Sequence, residues 1–341
     1  MDHIGIRLID RPSARAAIAA LALAAGATGS WAADGTTAAA KPLPVAIVDT
    51  LHTLSGGPHA GYRANHAKGA LVTGEFTPAP TAPGLSKASH FAKRVPVLVR
   101  FSNGTRLPTM PDADASPHGI AIRFQLPKGE NTDIVSISAD SFPVTTPEEF
   151  LGLLQAIAAS GPTAAKPTPI EQFLGSHPIA AKWVTTPRPA PVSFGTLAFY
   201  GVNAFKFTNA KGVSRYARYQ ILPVAGERAL SEGDAAKAAP NYLIDELPQR
   251  IAKSPVKFRL VAQVAKEGDP LNDGSVAWAP DRELIELGTI SLTKTPAEQV
   301  KAQKVLLFNP LLLQAGIKPS ADPVLLARPG AYAASYGQRA Q

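Results

Sequence analysis

Eight stretches of this 341-residue chain read as strands, and the clearest of them alternate apolar and polar residues with a period of two, the pattern of a half-buried sheet. In the run 118–126, Ile120, Ile122, Phe124 and Leu126 alternate with Ala121, Arg123 and Gln125. One face of such a strand is buried and the other is not. Val256, Phe258, Leu260, Ala262 and Val264 repeat the pattern within 256–265. The remaining runs fall at 70–77, 95–103, 132–138, 199–208, 214–222 and 283–292. Asn209-Ala-Lys-Gly212 separates two of them as a hairpin turn. Eight strands in largely hairpin order predict a closed antiparallel barrel.

Helices interrupt the strands. A short one is expected over 45–54, stopped by Gly56-Gly57-Pro58. Thr146-Pro147-Glu148-Glu149 reads as a capping box with proline at the first helical position, opening a helix to about residue 158. Thr295-Pro296-Ala297-Glu298 repeats that signal before a helix at 297–306. Leu243, Leu247 and Ile251, four residues apart, mark another. The fold class is therefore α+β, an eight-stranded antiparallel barrel with surrounding helices. It forms one domain over 44–341, preceded by a flexible Ala/Thr/Lys/Pro-rich tether at 33–43.

The first 32 residues read as a signal peptide. Arg7, Arg11 and Arg15 precede an alanine-rich apolar run, and Ser30-Trp31-Ala32 suits a cleavage site. The run is too short for a membrane span, and no later stretch supports stable membrane insertion. A periplasmic product is expected. Cleavage would remove three arginines and two aspartates, so the mature chain stays basic like the whole chain at +8. Its lysines and arginines are scattered rather than interleaved with aromatics, so no nucleic-acid partner is expected. The chain has no cysteine, which excludes disulfides, thiolate metal sites and covalent CxxCH haem attachment.

Two spacings carry chemistry. Arg63-Ala-Asn-His66-Ala-Lys-Gly69 places an imidazole three residues after a cation, just before the first strand. Histidine can take and return a proton because its ordinary pKa is about 6.5. On the strand at 95–103, Val97, Val99 and Phe101 share one face. Arg100 and Ser102 share the other, which is expected to look toward the barrel. Near the end, Arg328 and Tyr332 stand one helical turn apart and share a face. A phenol, with a pKa of about 10, needs a nearby cation to act as an anionic ligand.

Residues 63–69, continuing into Gly74-Glu75-Phe76-Thr77, resemble the Arg-x-x-His-Ala-Lys-Gly motif of the catalase family. Arg100-Phe101-Ser102 resembles that family's Arg-Phe-Ser strand end. Ser116-Pro-His-Gly-Ile-Ala-Ile-Arg-Phe124 and the Tyr200-Gly201 to Gly212 stretch are similar to two further family segments. Arg328 and Tyr332 match its proximal Arg-x-x-x-Tyr. The resemblance spans 60–339. It implies a non-covalent haem b, with iron bound by Tyr332 and Arg328 holding that oxygen anionic. It places His66 on the distal side as acid/base, with Ser102 fixing its ring. Arg63, Arg100 and Arg339 become partners of the haem propionates. Tyr336 is a competing ligand one turn on.

The departures also carry information. Ser141 stands where the family has an asparagine that orients peroxide, and Asn65 where it has an apolar valine. The chain ends nine residues after Tyr332 and lacks a long N-terminal arm, as in the short exported catalase-related peroxidases. The resemblance thus implies a haem peroxidase that reduces hydrogen peroxide or organic hydroperoxides with small organic electron donors, with weak catalase activity. Two other readings use the same pocket: a hydroperoxide isomerase of the allene oxide synthase type, and a non-enzymatic haem-binding protein of the envelope. A homo-oligomer is left open.

Overall fold

The computed structural model describes residues 40–340, so the export segment and residues 33–39 of the tether lie outside the described residues. Its strands are β1 (Gly69–Pro78), β2 (Val95–Asn103), β3 (His118–Gln125), β4 (Asn131–Ile137), β5 (Phe199–Tyr200), β6 (Phe205–Thr208), β7 (Ser214–Pro223), β8 (Val256–Val264), β9 (Leu284–Lys294) and β10 (Ile317–Pro319). Its helices are α1 (Leu43–Leu54), α2 (Ala82–Leu85), α3 (Pro147–Ala159), α4 (Pro169–Ser176), α5 (Pro178–Thr185), α6 (Glu232–Lys237), α7 (Tyr242–Lys253), α8 (Gln299–Val305) and α9 (Pro323–Ala340).

The sheet closes. β1 to β5 pair in sequence, β5 pairs with β7, and β8 and β9 lead back to β1, every pairing antiparallel. Eight strands make the ring. β6 continues β5 along the same edge of β7, and β10 adds to β6. The expected strand 199–208 is thus broken at residues 201–204. Gly201 lies where an added Cβ would come 3.2 Å from Tyr219 Cβ, and Asn203 turns away to serve the site described below. The turn at Asn209 forms as expected, its side-chain oxygen accepting from the Lys211 and Val213 amides.

The alternation sorts side chains by barrel face. Phe101, Ile120, Ile122, Phe124, Phe258, Leu260 and Leu292 point into one continuous core and are essentially inaccessible. Each such burial contributes roughly 1.5–3 kcal/mol. An eight-stranded barrel can be filled by its own side chains, and these fill this one, so the room for a ligand lies outside it. The opposite face carries two cross-strand rows. Leu71, Arg100, Ala121 and Val135 are successive partners, and so are Gly69, Ser102, Gly119 and Ile137. Arg100 and Ser102 therefore look outward, toward the helices, rather than into the barrel as expected. The interior is already filled.

Three helices cover that outer face. α1, α3 and α9 meet through Ile47, Val48, Leu51, Leu154, Phe150, Ala331 and Ala334. The capping box at α3 forms, with Thr146 accepting from the Glu149 amide and Glu149 from the Thr146 amide. The one expected at Thr295 does not. Helix α8 starts only at Gln299, after Glu298, with no side-chain cap. Its start is set by β1 instead. Gln299 exchanges two hydrogen bonds with the Leu71 backbone, and Gln303 donates to the Gly69 carbonyl, finishing an edge that β9 leaves bare. Thr168-Pro169-Ile170-Glu171 is a second working box, opening α4, a helix that the sequence analysis does not anticipate.

Candidate active site

Between the barrel's outer face and α1, α3 and α9 lies a cavity with about 1430 Å³ of empty space, part of it open to solvent. His66, Arg63, Arg100, Ser102, Arg328, Tyr332 and Arg339 all line it. No aspartate or glutamate does, among the described residues.

His66 sits on the loop entering β1 with a left-handed backbone, φ 53°. Non-glycine residues adopt that conformation at a cost. Here it brings the imidazole against the sheet, where Nδ1 and Ser102 Oγ are 3.0 Å apart. The ring has space only because residue 119 is glycine. A Cβ there would lie 2.8 Å from both His66 Nδ1 and Ser102 Oγ. Burial, then the charges of Arg100, His118, Arg328 and Arg63, push the His66 pKa down to about 3. The imidazole is neutral at ordinary pH, and Nε2 is the nitrogen free to meet a ligand.

At one end of the cavity three guanidinium groups crowd around the end of α8. Arg63 donates to the Leu306 carbonyl at 2.7 Å, and Arg339 to the same oxygen at 2.6 Å. Arg100 donates to the carbonyls of His66 and Ala67 and to Gln303 Oε1. None of the three has a carboxylate partner among the described residues. Burial, followed by the Arg100 and Arg339 charges, presses the Arg63 pKa well below its usual value; burial and Arg339 lower that of Arg100 to about 9. Guanidinium resists deprotonation. Such a cluster calls for an anion of more than one charge.

On α9, Arg328 donates to the Tyr332 hydroxyl oxygen through Nε at 3.1 Å and through a terminal nitrogen at 2.9 Å. Both donors converge on the one oxygen of Tyr332, which lines the cavity. Behind them runs a chain that the sequence analysis misses. Arg328 donates to Asn203 Oδ1 at 2.8 Å, and Asn203 donates to Asp322 Oδ2 at 2.7 Å. The other Asp322 oxygen accepts from the Val324 and Leu325 amides at the start of α9. Asp322 before Pro323 is a helix-start signal that could have been found; Asn203, inside an apparent strand, carries none.

Two expected residues stand elsewhere. Ser141 does not line the cavity: its hydroxyl is directed at Asp140, and its carbonyl accepts from Trp183. Ser141 therefore supplies nothing to the cavity wall, which the next residue, Phe142, reaches. Tyr336 is also absent from the lining; its ring lies under the Arg339 guanidinium. Asn65, by contrast, does line the cavity.

The sequence profile described as catalase matches residues 59–340. The chain is 36% identical over 285 residues to a catalase-related peroxidase of Mycolicibacterium paratuberculosis, an alignment covering 82% of this chain and 90% of that protein. A catalase-related peroxidase of Synechococcus elongatus is 32% identical, with 83% and 85% covered. A solved fungal catalase is similar in fold, with a TM-score of 0.74 at 23% identity over 86% of this chain and 62% of that one.

Proposed function

The chain belongs to the catalase family, and from that premise we propose that it is a haem-dependent peroxidase of the periplasm. It is an oxidoreductase acting on peroxide. The single observation that carries the cofactor is the lining of the cavity: two buried guanidinium groups and a half-buried third, none with a carboxylate partner among the described residues, and a phenol oxygen held by a fourth. A haem brings two propionates and an iron, and these residues fit it. Arg63, Arg100 and Arg339 would neutralise the propionates, and Tyr332, braced by Arg328, would hold the iron. The bound haem supplies the redox chemistry that splits a peroxide O–O bond.

The protein's own part in turnover is to manage protons. In the tautomer whose Nδ1–H donates to Ser102, Nε2 of His66 keeps its lone pair and accepts the proton of an incoming hydroperoxide. Because the pKa of this imidazole is held near 3, the acquired proton is given up readily to the departing oxygen. The apolar walls from α1 and α3, among them Ile47, Val48, Leu51 and Phe150, limit the water around the transfer. Small organic donors then return the electrons, and oxygen evolution is a minor route. The 1–32 segment supports export and the periplasmic assignment.

The test is twofold. Purified protein loaded with haem should show a high-spin tyrosinate-type spectrum that Tyr332→Phe abolishes. It should also oxidise an organic donor with hydrogen peroxide or an alkyl hydroperoxide. Oxygen release faster than donor oxidation would overturn the peroxidase reading in favour of catalase.

A further inference from the structure

Lys68 belongs to the same short motif as His66 but does not line the cavity. Its ammonium is buried, and its three N–H donors meet three acceptors. It donates to the Met110 carbonyl at 3.1 Å and the Pro240 carbonyl at 2.7 Å, and it pairs with Asp112 Oδ1 at 2.6 Å. Asp112 is buried as well. Its Oδ1 also accepts from Asn103 Nδ2 at 2.7 Å, and its Oδ2 accepts from the Leu243 amide at 2.8 Å, in the first turn of α7. Leu243 and Leu247 seat that helix in the barrel's core.

Both members of the proton-handling pair adjoin this network. Lys68 follows His66 by two residues and Asn103 follows Ser102 by one, and the Asn103 amide donates to the Lys68 carbonyl at 3.1 Å. The register of β1 with β2 starts at Gly69 and Ser102, so His66 and its left-handed backbone lie beyond the end of the ladder. A strained residue persists only where its surroundings over-determine it. We infer that Lys68 and Asp112 are positioning residues: their buried pair, anchored on α7, fixes where the His66 ring stands relative to Ser102. Stability alone is a weak reason to bury them. The desolvation of a buried ion pair offsets most of its attraction, and replacing both partners together is often neutral. This inference rests on the peroxidase reading above and extends its machinery to two residues outside the cavity.

Lys68→Met combined with Asp112→Asn tests it, because both charges leave together and an amide oxygen still caps α7. The melting temperature should stay within about 3 °C of the parent's. In the haem-loaded protein kcat/KM for hydrogen peroxide should fall about 100-fold, the scale of a reacting group misplaced by about 1 Å. The kcat/KM for the organic donor, which reports the later electron return, should hold within about twofold; a general loosening of the fold would lower both. In the haem-free full chain, labelled with 15N-histidine, the Nδ1–H resonance of His66 should shift or broaden as its bond to Ser102 loosens, a readout independent of turnover. Asp112→Asn alone is the milder variant should the double one not fold, with the same split and a fall of about tenfold expected. Parent-like peroxide kinetics with an unmoved His66 resonance, or equal falls for peroxide and donor, would overturn the inference and leave the peroxidase reading intact. Parent protein that binds haem but oxidises no donor would refute that reading, and the His66 resonance would then decide on its own whether the pair places the ring.

Discussion

Gly119 shows how one missing side chain sets the site. Its value is not a turn but a vacancy, since a Cβ would overlap both members of the His66–Ser102 pair. Gly119→Ala should therefore displace the imidazole while the barrel, whose register at that position is set by backbone pairing, persists. Donor oxidation with hydrogen peroxide should fall by about 100-fold, the scale of a mispositioned acid/base, with the far-ultraviolet circular dichroism unchanged. Wild-type rates in that variant would mean that His66 is not the proton carrier. Arg63, His66, Ser102, Arg328 and Tyr332 stood out in the sequence because each sits in a spaced motif. Gly119 lay in a matched segment, yet nothing in the sequence tells that its hydrogen atom faces an imidazole 53 residues away in the chain.

At the scale of elements, a capping box is a local signal that tertiary contacts can silence. Thr146 and Thr295 begin the same Thr-Pro-x-Glu pattern, but only Thr146 caps a helix. The two glutamines of α8 dock on the edge of β1 and fix where that helix begins, three residues later than the box would have it. Thr146→Ala should cost about 1 kcal/mol, read as a lower midpoint in urea denaturation. Thr295→Ala should leave the midpoint within experimental scatter. Equal losses would show that the second box forms in solution. The split of 199–208 has the same kind of cause. Its composition is that of a continuous strand, and the break exists because Asn203 is drawn to Arg328 and Asp322.

At the scale of the whole molecule, four imidazoles among the described residues, those of His52, His66, His90 and His118, stand where burial disfavours charge. Burial first, and for His66 neighbouring cations next, pushes the pKa values of His66 and His90 to about 3 and that of His118 to about 4. Each group protonates more easily in the unfolded chain, near pH 6.5, than in the folded one. Unfolding therefore takes up protons, and stability is full above pH 6.5 and declines as pH falls toward the folded values. His90 is the cleanest probe, packed among Phe76, Phe91 and Phe124 away from the cavity. His90→Leu should match the parent closely at pH 7.5 and exceed it by about 2 kcal/mol at pH 5, by denaturant titration at the two pH values. An unchanged difference between them would place the acid sensitivity elsewhere.

The barrel was readable from the chain alone because a strand's two faces see different solvents, and that difference is written locally in a period of two. Seven of the eight expected runs became strands with nearly the same bounds, and the eighth only broke around Asn203. The motif residues were readable for a related reason: a chemical role restricts residue type and spacing within a few positions. Which face of the barrel holds the cavity was decided only by folding, because it depends on whether the closed interior has room left after its own side chains are packed. The same holds for the exclusion of Ser141, the vacancy at Gly119 and the Asn203–Asp322 brace. Each is a matter of distance between atoms far apart in sequence, and a linear order of residues contains no such distances.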